Sequence, residues 1–413
     1  MLKVKISFKM LLECTICFLL IYLSGSAAIS VSEDAFVFRL LSVGLIGLCV
    51  IYEFRYVRSA KAMKKALFIM IGCAGYLALE FLLYRKTIFG FSLRILWILA
   101  FVLLLISKKV DINCFLKRIY QIIIFIAALS LIMFFFVNIL KIDLPYDYVA
   151  HGNDLTFYRR YVGFFYAAGI YLRSFPILGI KIFRLQSMFW EPGVYAVYLI
   201  FALYYFIFFK EKKQKTHMMI LLLSILLTFS TTGICIGIGL FTVYLIENIK
   251  MNKRSKIMLV LPLGIATFCG IYIVWTIKRL SSSHVNGSYY LRMRDFTDGI
   301  KLIQQRPVFG WGYKNYEVFE MAQNLGRGSS NGLITLGYTM GIFGLLIALY
   351  PFIISIWRCR KKERFREIAF SAVFILTNMT EPIILMPFMI FLIVYQYKKC
   401  TVLKAGKNVK YAE

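Results

Sequence analysis

Apolar runs of roughly 20 residues recur along this chain, and that is the length a helix needs to span the hydrocarbon core of a bilayer. The 413 residues are 60% apolar and only 17% charged, with a mean hydropathy of +0.74. A soluble domain of this length needs a charged surface, and this composition leaves none. The solvent for most of the chain is therefore lipid. The fold class that follows is all-α: a polytopic membrane protein with about twelve transmembrane helices and two long outward-facing loops. The expected spans are 10–28, 36–52, 66–83, 90–106, 119–140, 188–209, 218–231, 233–249, 257–277, 333–357, 368–379 and 383–397. The seventh, eleventh and twelfth are short.

Charge orients the bundle. The formal net charge of +29 would suggest a nucleic-acid partner in a soluble protein. Here the basic residues sit in short clusters between apolar runs, the pattern of cytoplasmic loops. Alternate connections carry Arg55/Arg58/Lys61/Lys64/Lys65, Lys108/Lys109/Lys117/Arg118, Lys210/Lys212/Lys213/Lys215, Lys250/Lys253/Arg254/Lys256 and Arg358/Arg360/Lys361/Lys362/Arg364/Arg366. Both termini are basic as well, and all of these belong in the cytoplasm; among short connections only Arg85 and Lys86 fall on the other side. Lys3, Lys5 and Lys9 precede an apolar run ending in Ser24-Gly25-Ser26-Ala27-Ala28, similar to a signal peptide with a small-residue cleavage site. The run is long, and we read it as a retained first helix.

The chain then divides into a five-helix segment (1–140), an outer loop (141–187), central helices (188–277), a larger outer loop (278–332), C-terminal helices (333–397) and a basic cytoplasmic tail (398–413). Residues 161–183 are apolar enough to pass for a span, but Arg173 and Pro176 interrupt them. Counting them as one would turn every later basic cluster outward. They are expected to form an interfacial or re-entrant helix rich in aromatic residues. The nine cysteines all lie in spans or cytoplasmic loops, so no extracellular disulfide framework is implied. Cys14 and Cys17 form a CxxC inside an apolar run without partner ligands, which reads as buried thiols.

The two outer loops hold many cations, among them Arg159, Arg160, Arg173, Arg184, Arg292, Arg294, Arg306 and Arg327. Long loops translocate despite charge, and arginine there suits either a polyanionic ligand or lipid headgroups, since its planar fork pairs bidentately with phosphate. Charge alone does not choose. Aromatics such as Tyr146, Tyr148, Tyr158, Tyr161, Trp190, Tyr289, Tyr290 and Trp311 crowd the same loops. They suit an interfacial belt or the stacking of sugar rings.

The local sequence is more specific. Before the sixth span the chain reads Arg184-Leu-Gln-Ser187-Met-Phe189-Trp190-Glu191-Pro192-Gly193-Val-Tyr-Ala196. After the ninth it reads Arg292-Met-Arg294-Asp-Phe296, then Pro307-Val-Phe-Gly310-Trp-Gly312-Tyr-Lys-Asn315-Tyr316. Into the tenth it reads Ser329-Ser330-Asn331-Gly332, followed by Gly341-Ile-Phe-Gly344. Over 184–344 this resembles the O-antigen polymerase and ligase family (Wzy- and WaaL-like proteins). That family carries R-x-x-[SG]-x-F-x-x-P-N-x-x-A ahead of a mid-chain span, R-x-x-x-W with a P-x-x-G-x-G-x-x-N-F turn eleven residues on, and H-N then G-x-x-G. Ser230-Thr-Thr-Gly233 stands where the family often has S-R-G or S-R-T-G. Gly193 replaces the family Asn, Thr231 or Thr232 a common Arg, and Phe296 the Trp. Ser330 stands where ligases carry His, which favours the polymerase branch.

The resemblance implies glycosyl transfer from a polyprenyl-diphosphate-linked sugar to a hydroxyl of another lipid-linked repeat unit, at the bacterial inner membrane. It implies no cofactor, and partners limited to the lipid-linked oligosaccharide, the bilayer, and a chain-length regulator and flippase of the same pathway. Arg184 and Arg292 match the motif arginines and are expected to hold the diphosphate. The alternative is snorkelling, or helical pairing with acids, since Arg292/Asp295 and Arg294/Asp298 have i,i+3 and i,i+4 spacing. Glu191 is the expected proton acceptor, or else a carboxylate at a helix N-terminus; Glu317 and His284 are weaker candidates. Arg294, Gly310, Gly312, Asn315, Ser330 and Asn331 are expected at the substrate. No cluster has metal-ligand spacing and no P-loop or dinucleotide fingerprint occurs. A ligase of the same fold is the second reading and a lipid or polysaccharide transporter the third. Against transport, the charges inside the spans (Glu13, Arg39, Glu80, Arg94, Glu191, Glu247) all lie nearer an end than the middle.

The topology is open to labelling. Single cysteines introduced into 141–187 and 278–332 should react with an impermeant reagent from outside, while those in 210–216 and 250–256 should not. Outside labelling of the last two segments overturns the orientation.

Overall fold

In the computed structural model of the chain, the structure describes residues 7–28, 35–57, 60–84, 89–106, 111–151, 156–162, 165–167, 175–177, 180–182, 184–210, 214–248, 288–312 and 329–404. Helices dominate, as the hydropathy dictates. They are α1 (Phe8–Gly25), α2 (Ala35–Tyr52), α3 (Ala60–Tyr84), α4 (Phe89–Ile106), α5 (Ile112–Phe134), α6 (Pro192–Phe209), α7 (Lys215–Leu227), α8 (Thr231–Asn248), α9 (Ser288–Gln305), α10 (Gly332–Arg358), α11 (Lys361–Thr380) and α12 (Pro387–Lys404). Each expected span has its helix except 257–277, which lies outside the described residues. By length and composition, five are apolar enough to cross a membrane unaided: Phe8–Gly25, Phe36–Val57, Asn113–Ile139, Pro192–Phe209 and Gly332–Arg358.

Two expectations are corrected. Residues 161–183 hold no helix among the described residues. They contribute strands β3 (Phe165–Ala167), β4 (Phe175–Ile177) and β5 (Ile180–Ile182), while β1 (Tyr146–His151) and β2 (Thr156–Tyr161) precede them. β1-β2-β3 form one antiparallel sheet and β4-β5 a hairpin. Aromatic and β-branched residues favour a pleated surface, and Pro176 opposes a helix interior. The segment from Lys398 is also not simply a tail, since α12 continues to Lys404. Lys399 is buried there and pairs with buried Glu367, which lets a basic residue remain inside the bundle.

The chain divides into two compact units. One comprises Met1–Ser24, Arg39–Phe115 and Val285–Glu413, the other Gly25–Phe38 and Leu116–His284. In the first, α10 packs on α9, α11 and α12, and α4 packs on α3 and α12. In the second, α6 packs on α7 and α8 and is buried along nearly its whole length.

A break in α10 determines how α9 and its following turn are seated. Gly341 has φ 66° and ψ −166°, which ends one helical segment and starts another. The break exposes backbone groups that a helix normally pairs, and the 307–312 turn supplies partners. Ile342 N donates to Pro307 O at 2.7 Å, Phe343 N to Val308 O at 3.3 Å, Trp311 N to Tyr338 O at 2.8 Å and Gly312 N to Thr339 O at 3.0 Å. Irregular backbone at membrane depth is tolerated only where protein satisfies it in this way. Leu302, Trp311 and Tyr338 form the apolar core beneath the seam, with Ile303 and Ile334 against them. Trp311 Nε1 donates to Leu302 O at 3.0 Å.

The seam requires glycine at two positions. Gly310 has φ +69°, and a Cβ there would lie 2.6 Å from the Tyr338 carbonyl oxygen; at Gly341 it would collide with the Val308 carbonyl. Gly310→Ala and Gly341→Ala are each expected to lower stability by about 2 kcal/mol or more, from left-handed strain plus the backbone clash. Gly44→Ala and Gly47→Ala, where an added Cβ meets nothing within 4 Å, should leave it unchanged or slightly higher. Thermal unfolding in detergent, followed by size-exclusion chromatography, measures this. Equal melting of all four variants would refute the seam.

Candidate functional site

In the second unit the first motif is an extended strap between two helix ends. Leu185 N donates to Leu227 O at 2.9 Å, where α7 ends, and Arg184 Nε donates to the Thr228 carbonyl at 2.8 Å. A cation bound to the last carbonyls of a helix favours the negative end of its dipole. On the other side, Trp190 N donates to Gly25 O at 3.0 Å and Ala27 N to Met188 O at 2.8 Å. Phe189 stacks on Tyr195 and Tyr198 with centroids 5.0 and 4.7 Å apart. A Cβ on Gly25 would meet the Phe189 ring at 2.5 Å, so the small residues ending α1 serve as its seat.

Ser187 takes φ 60° and accepts a hydrogen bond from Ser130 of α5 at 2.7 Å. Ser130, Asn138, Tyr161, Phe165 and Arg184 line a pocket over this strap. Glu191 is the N-cap residue of α6, with Pro192 at the first helical position and no side-chain cap hydrogen bond. Pro fits there because its missing N–H would be unpaired in any case.

In the first unit, three helix ends meet. Asn331 caps α10, its side chain accepting from Ile334 N at 3.1 Å, and its own N–H reaches Ser329 Oγ at 3.1 Å. Ser330 N donates to Asp295 Oδ2 of α9 at 2.9 Å. The negative end of that carboxylate therefore faces the helix N-terminus, the favourable sign. Arg292, one turn earlier on α9, donates from Nη1 to the Thr380 carbonyl at the end of α11, 2.9 Å away. Its Nη2 lies 3.9 Å from Glu381 Oε1. A Cβ on Gly332 would come within 2.8 Å of the Glu381 carbonyl and 2.9 Å of that of Asn378, so the end of α11 abuts the start of α10.

The expected helical pairs do not form. Arg292 reaches across to α11 rather than to Asp295, which binds Ser330. Asp298 pairs with Lys301 at 3.6 Å, and Arg294 Nε is buried with no hydrogen-bond partner among the described residues. For Arg292 and Asp295 the cross-helix partners win over a weak i,i+3 pair, while Asp298 keeps an exposed i,i+3 pair with Lys301 in place of Arg294.

The structure thus brings Arg292, Ser330 and Asn331 to one corner of one unit, with Gly310 and Gly312 in the seam on α10. Arg184 and Glu191 belong to the other unit. Asn315, Glu317 and His284 lie outside the described residues. Glu381 was not anticipated, although a lone acid before Pro382 in a three-residue connection between spans was a visible signal. In the β1–β2 hairpin, Arg160 pairs with Asp147 and holds its carboxyl below the usual range. Arg159 lies over the Tyr146 ring at 4.6 Å.

A family model described as O-antigen ligase (Wzy_C) matches residues 191–349. The matched segment begins at Glu191 and contains α9, the 307–312 turn, the Asn331 cap and the Gly341 break. No curated protein matches the chain. Over that segment the chain is similar to the O-antigen ligase family, which supports a membrane enzyme that acts on glycans in the synthesis of a surface polysaccharide.

Proposed function

We propose that this enzyme is the polymerase: it joins polyprenyl-diphosphate-linked oligosaccharide repeat units into a longer chain at the outer face of the inner membrane. The observation that carries the reading is Ser330. It stands where ligases of the family carry histidine, and its backbone N–H is tied to Asp295 at the head of α10. No imidazole is available at that position.

The donor sugar is already activated by its diphosphate, so the protein has to hold the leaving group, orient an acceptor hydroxyl and accept one proton. Arg292 suits the first task. Among the described residues its only hydrogen bond goes to the Thr380 carbonyl, and its side chain is 40% exposed. Donors fixed before the reaction stabilise charge as it develops on the diphosphate without reorganising. Arg184 is anchored to a helix-end carbonyl in the same manner and is assigned the same kind of task. Arg294, Ser330 and Asn331 supply further polar groups for the saccharide. Asn315 completes the proposed set, while Gly310 and Gly312 hold the turn close to α10.

Loss of the protein distinguishes polymerase from ligase. Cells lacking it should carry single repeat units where attachment occurs, and no long chains. Absence of all attached glycan, short and long, would instead identify a ligase.

Lysine should not replace the motif arginines. It keeps the charge but loses the paired donors that match two phosphate oxygens. Truncating a hydrogen-bonded charge contact costs about 2–5 kcal/mol, which corresponds to a slowing of about 30-fold or more if the contact forms in the transition state. Arg292→Lys and Arg184→Lys, purified and folded, should show this loss in chain growth on lipid-linked repeats. Arg159→Lys and Arg160→Lys, whose partners lie within the β1–β2 hairpin, should differ little from wild type. Wild-type rates in both motif variants would remove the arginines from the reaction.

A further inference from the structure

The turn between α11 and α12 carries a single carboxylate, Glu381, which the matched family segment does not include. It is 4% exposed and ends α11 as its C-cap residue, with extended φ and ψ. Burying a carboxylate in a membrane protein is costly, and such groups mark function more often than stability. Its surroundings in this unit are specific. Arg292 Nη2 is 3.9 Å from Oε1, a charge contact beyond hydrogen-bond range. The close approach of Gly332 to the Glu381 carbonyl places the Ser330-Asn331 turn at the same corner.

We propose that Glu381 is the group that takes the proton from the acceptor hydroxyl. The assignment rests on the polymerase reading above. Transfer needs a base close to the arginine that holds the leaving diphosphate, because the hydroxyl it deprotonates attacks the carbon that the diphosphate leaves. Of the carboxylates on α9, Asp295 binds the Ser330 N–H and Asp298 pairs with Lys301. Glu381 is the one beside Arg292. Glu191, the other candidate base, heads α6 in the other unit.

In the step itself, the hydroxyl proton moves to a Glu381 carboxylate oxygen. The hydroxyl oxygen forms the new bond to the anomeric carbon, and the bond from that carbon to the diphosphate oxygen breaks. The diphosphate leaves with the electron pair, its charge met by the Arg292 guanidinium, and Glu381 afterwards releases its proton to water.

The test uses purified full-length protein with a lipid-linked repeat unit as both donor and acceptor, and measures chain growth and donor binding separately. Glu381→Gln keeps the side chain's shape and an oxygen facing Arg292 but cannot take the proton. Turnover should fall by about 100-fold or more, with donor affinity within a few-fold of wild type. Near-wild-type turnover would overturn the assignment. So would parallel loss of donor binding and turnover, which would mean that Glu381 only positions Arg292. So would an active Glu381→Gln beside an inactive Glu191→Gln. Should the Gln variant not fold, Glu381→Asp decides: withdrawing the carboxylate by one methylene should slow turnover about tenfold or more with binding intact, and wild-type turnover would refute the role. Absence of chain growth by the wild-type protein itself would count against the polymerase reading, not against Glu381 in particular.

Discussion

A backbone N–H or carbonyl left unpaired in lipid costs several kcal/mol, and helix ends and breaks are where such groups collect. Much of the non-helical architecture here answers that cost. Opening α10 at Gly341 leaves carbonyls above and N–H groups below without intrahelical partners, and the 307–312 turn pairs with both sets. The start of α10 is met by Asn331 and by Asp295. The ends of α7 and α11 are met by arginines. Water would do this work in a soluble protein. In a bilayer other parts of the chain must do it, and a turn or side chain recruited for that purpose is thereby fixed in place.

This explains why the motifs are rich in residues with no chemistry of their own. Phe189 packs between the end of α1 and two tyrosines of α6. Gly310 and Gly341 remove the Cβ atoms that would hold two backbones apart. Gly332 does the same where α10 meets the end of α11. A motif in a membrane enzyme of this kind records the joints between helices first, and the reacting groups hang from those joints. Gly299 on α9 belongs to the same set, since a Cβ there would collide with Ile334.

The spanning helices were legible because a span has a fixed length and one composition, so hydropathy places them, whereas α9 falls in the expected outer loop and is too polar for that signal. The strands were not, because a window of apolar residues averages away the alternation that identifies a strand. Tyr146-Asp147-Tyr148 alternates in the period-two sense, and the register puts Tyr146 opposite Tyr161 and Asp147 opposite Arg160. The partners of Arg292 were hidden for another reason. Thr380 and Glu381 lie far along the chain from α9, and spacing rules speak only of neighbours on one helix. Proximity of that kind is a product of packing α9 and α11 against α10, which no local pattern encodes.

The choice of partner for each arginine then separates structural charge from available charge. A carboxylate in hydrogen-bond contact fixes a guanidinium and cancels its charge together, as Asp147 does for Arg160 on the exposed hairpin. A carbonyl fixes it and cancels nothing, since it contributes only a dipole. Thr380 holds Arg292 in that second way, at the end of a helix whose dipole already favours a cation. The nearest acid to Arg292 stands off at 3.9 Å, close enough to orient the guanidinium and too far to bind it fully. In the proposed role, Arg292 offers the diphosphate a cation that is oriented beforehand, the condition under which electrostatic preorganisation acts most strongly on developing negative charge.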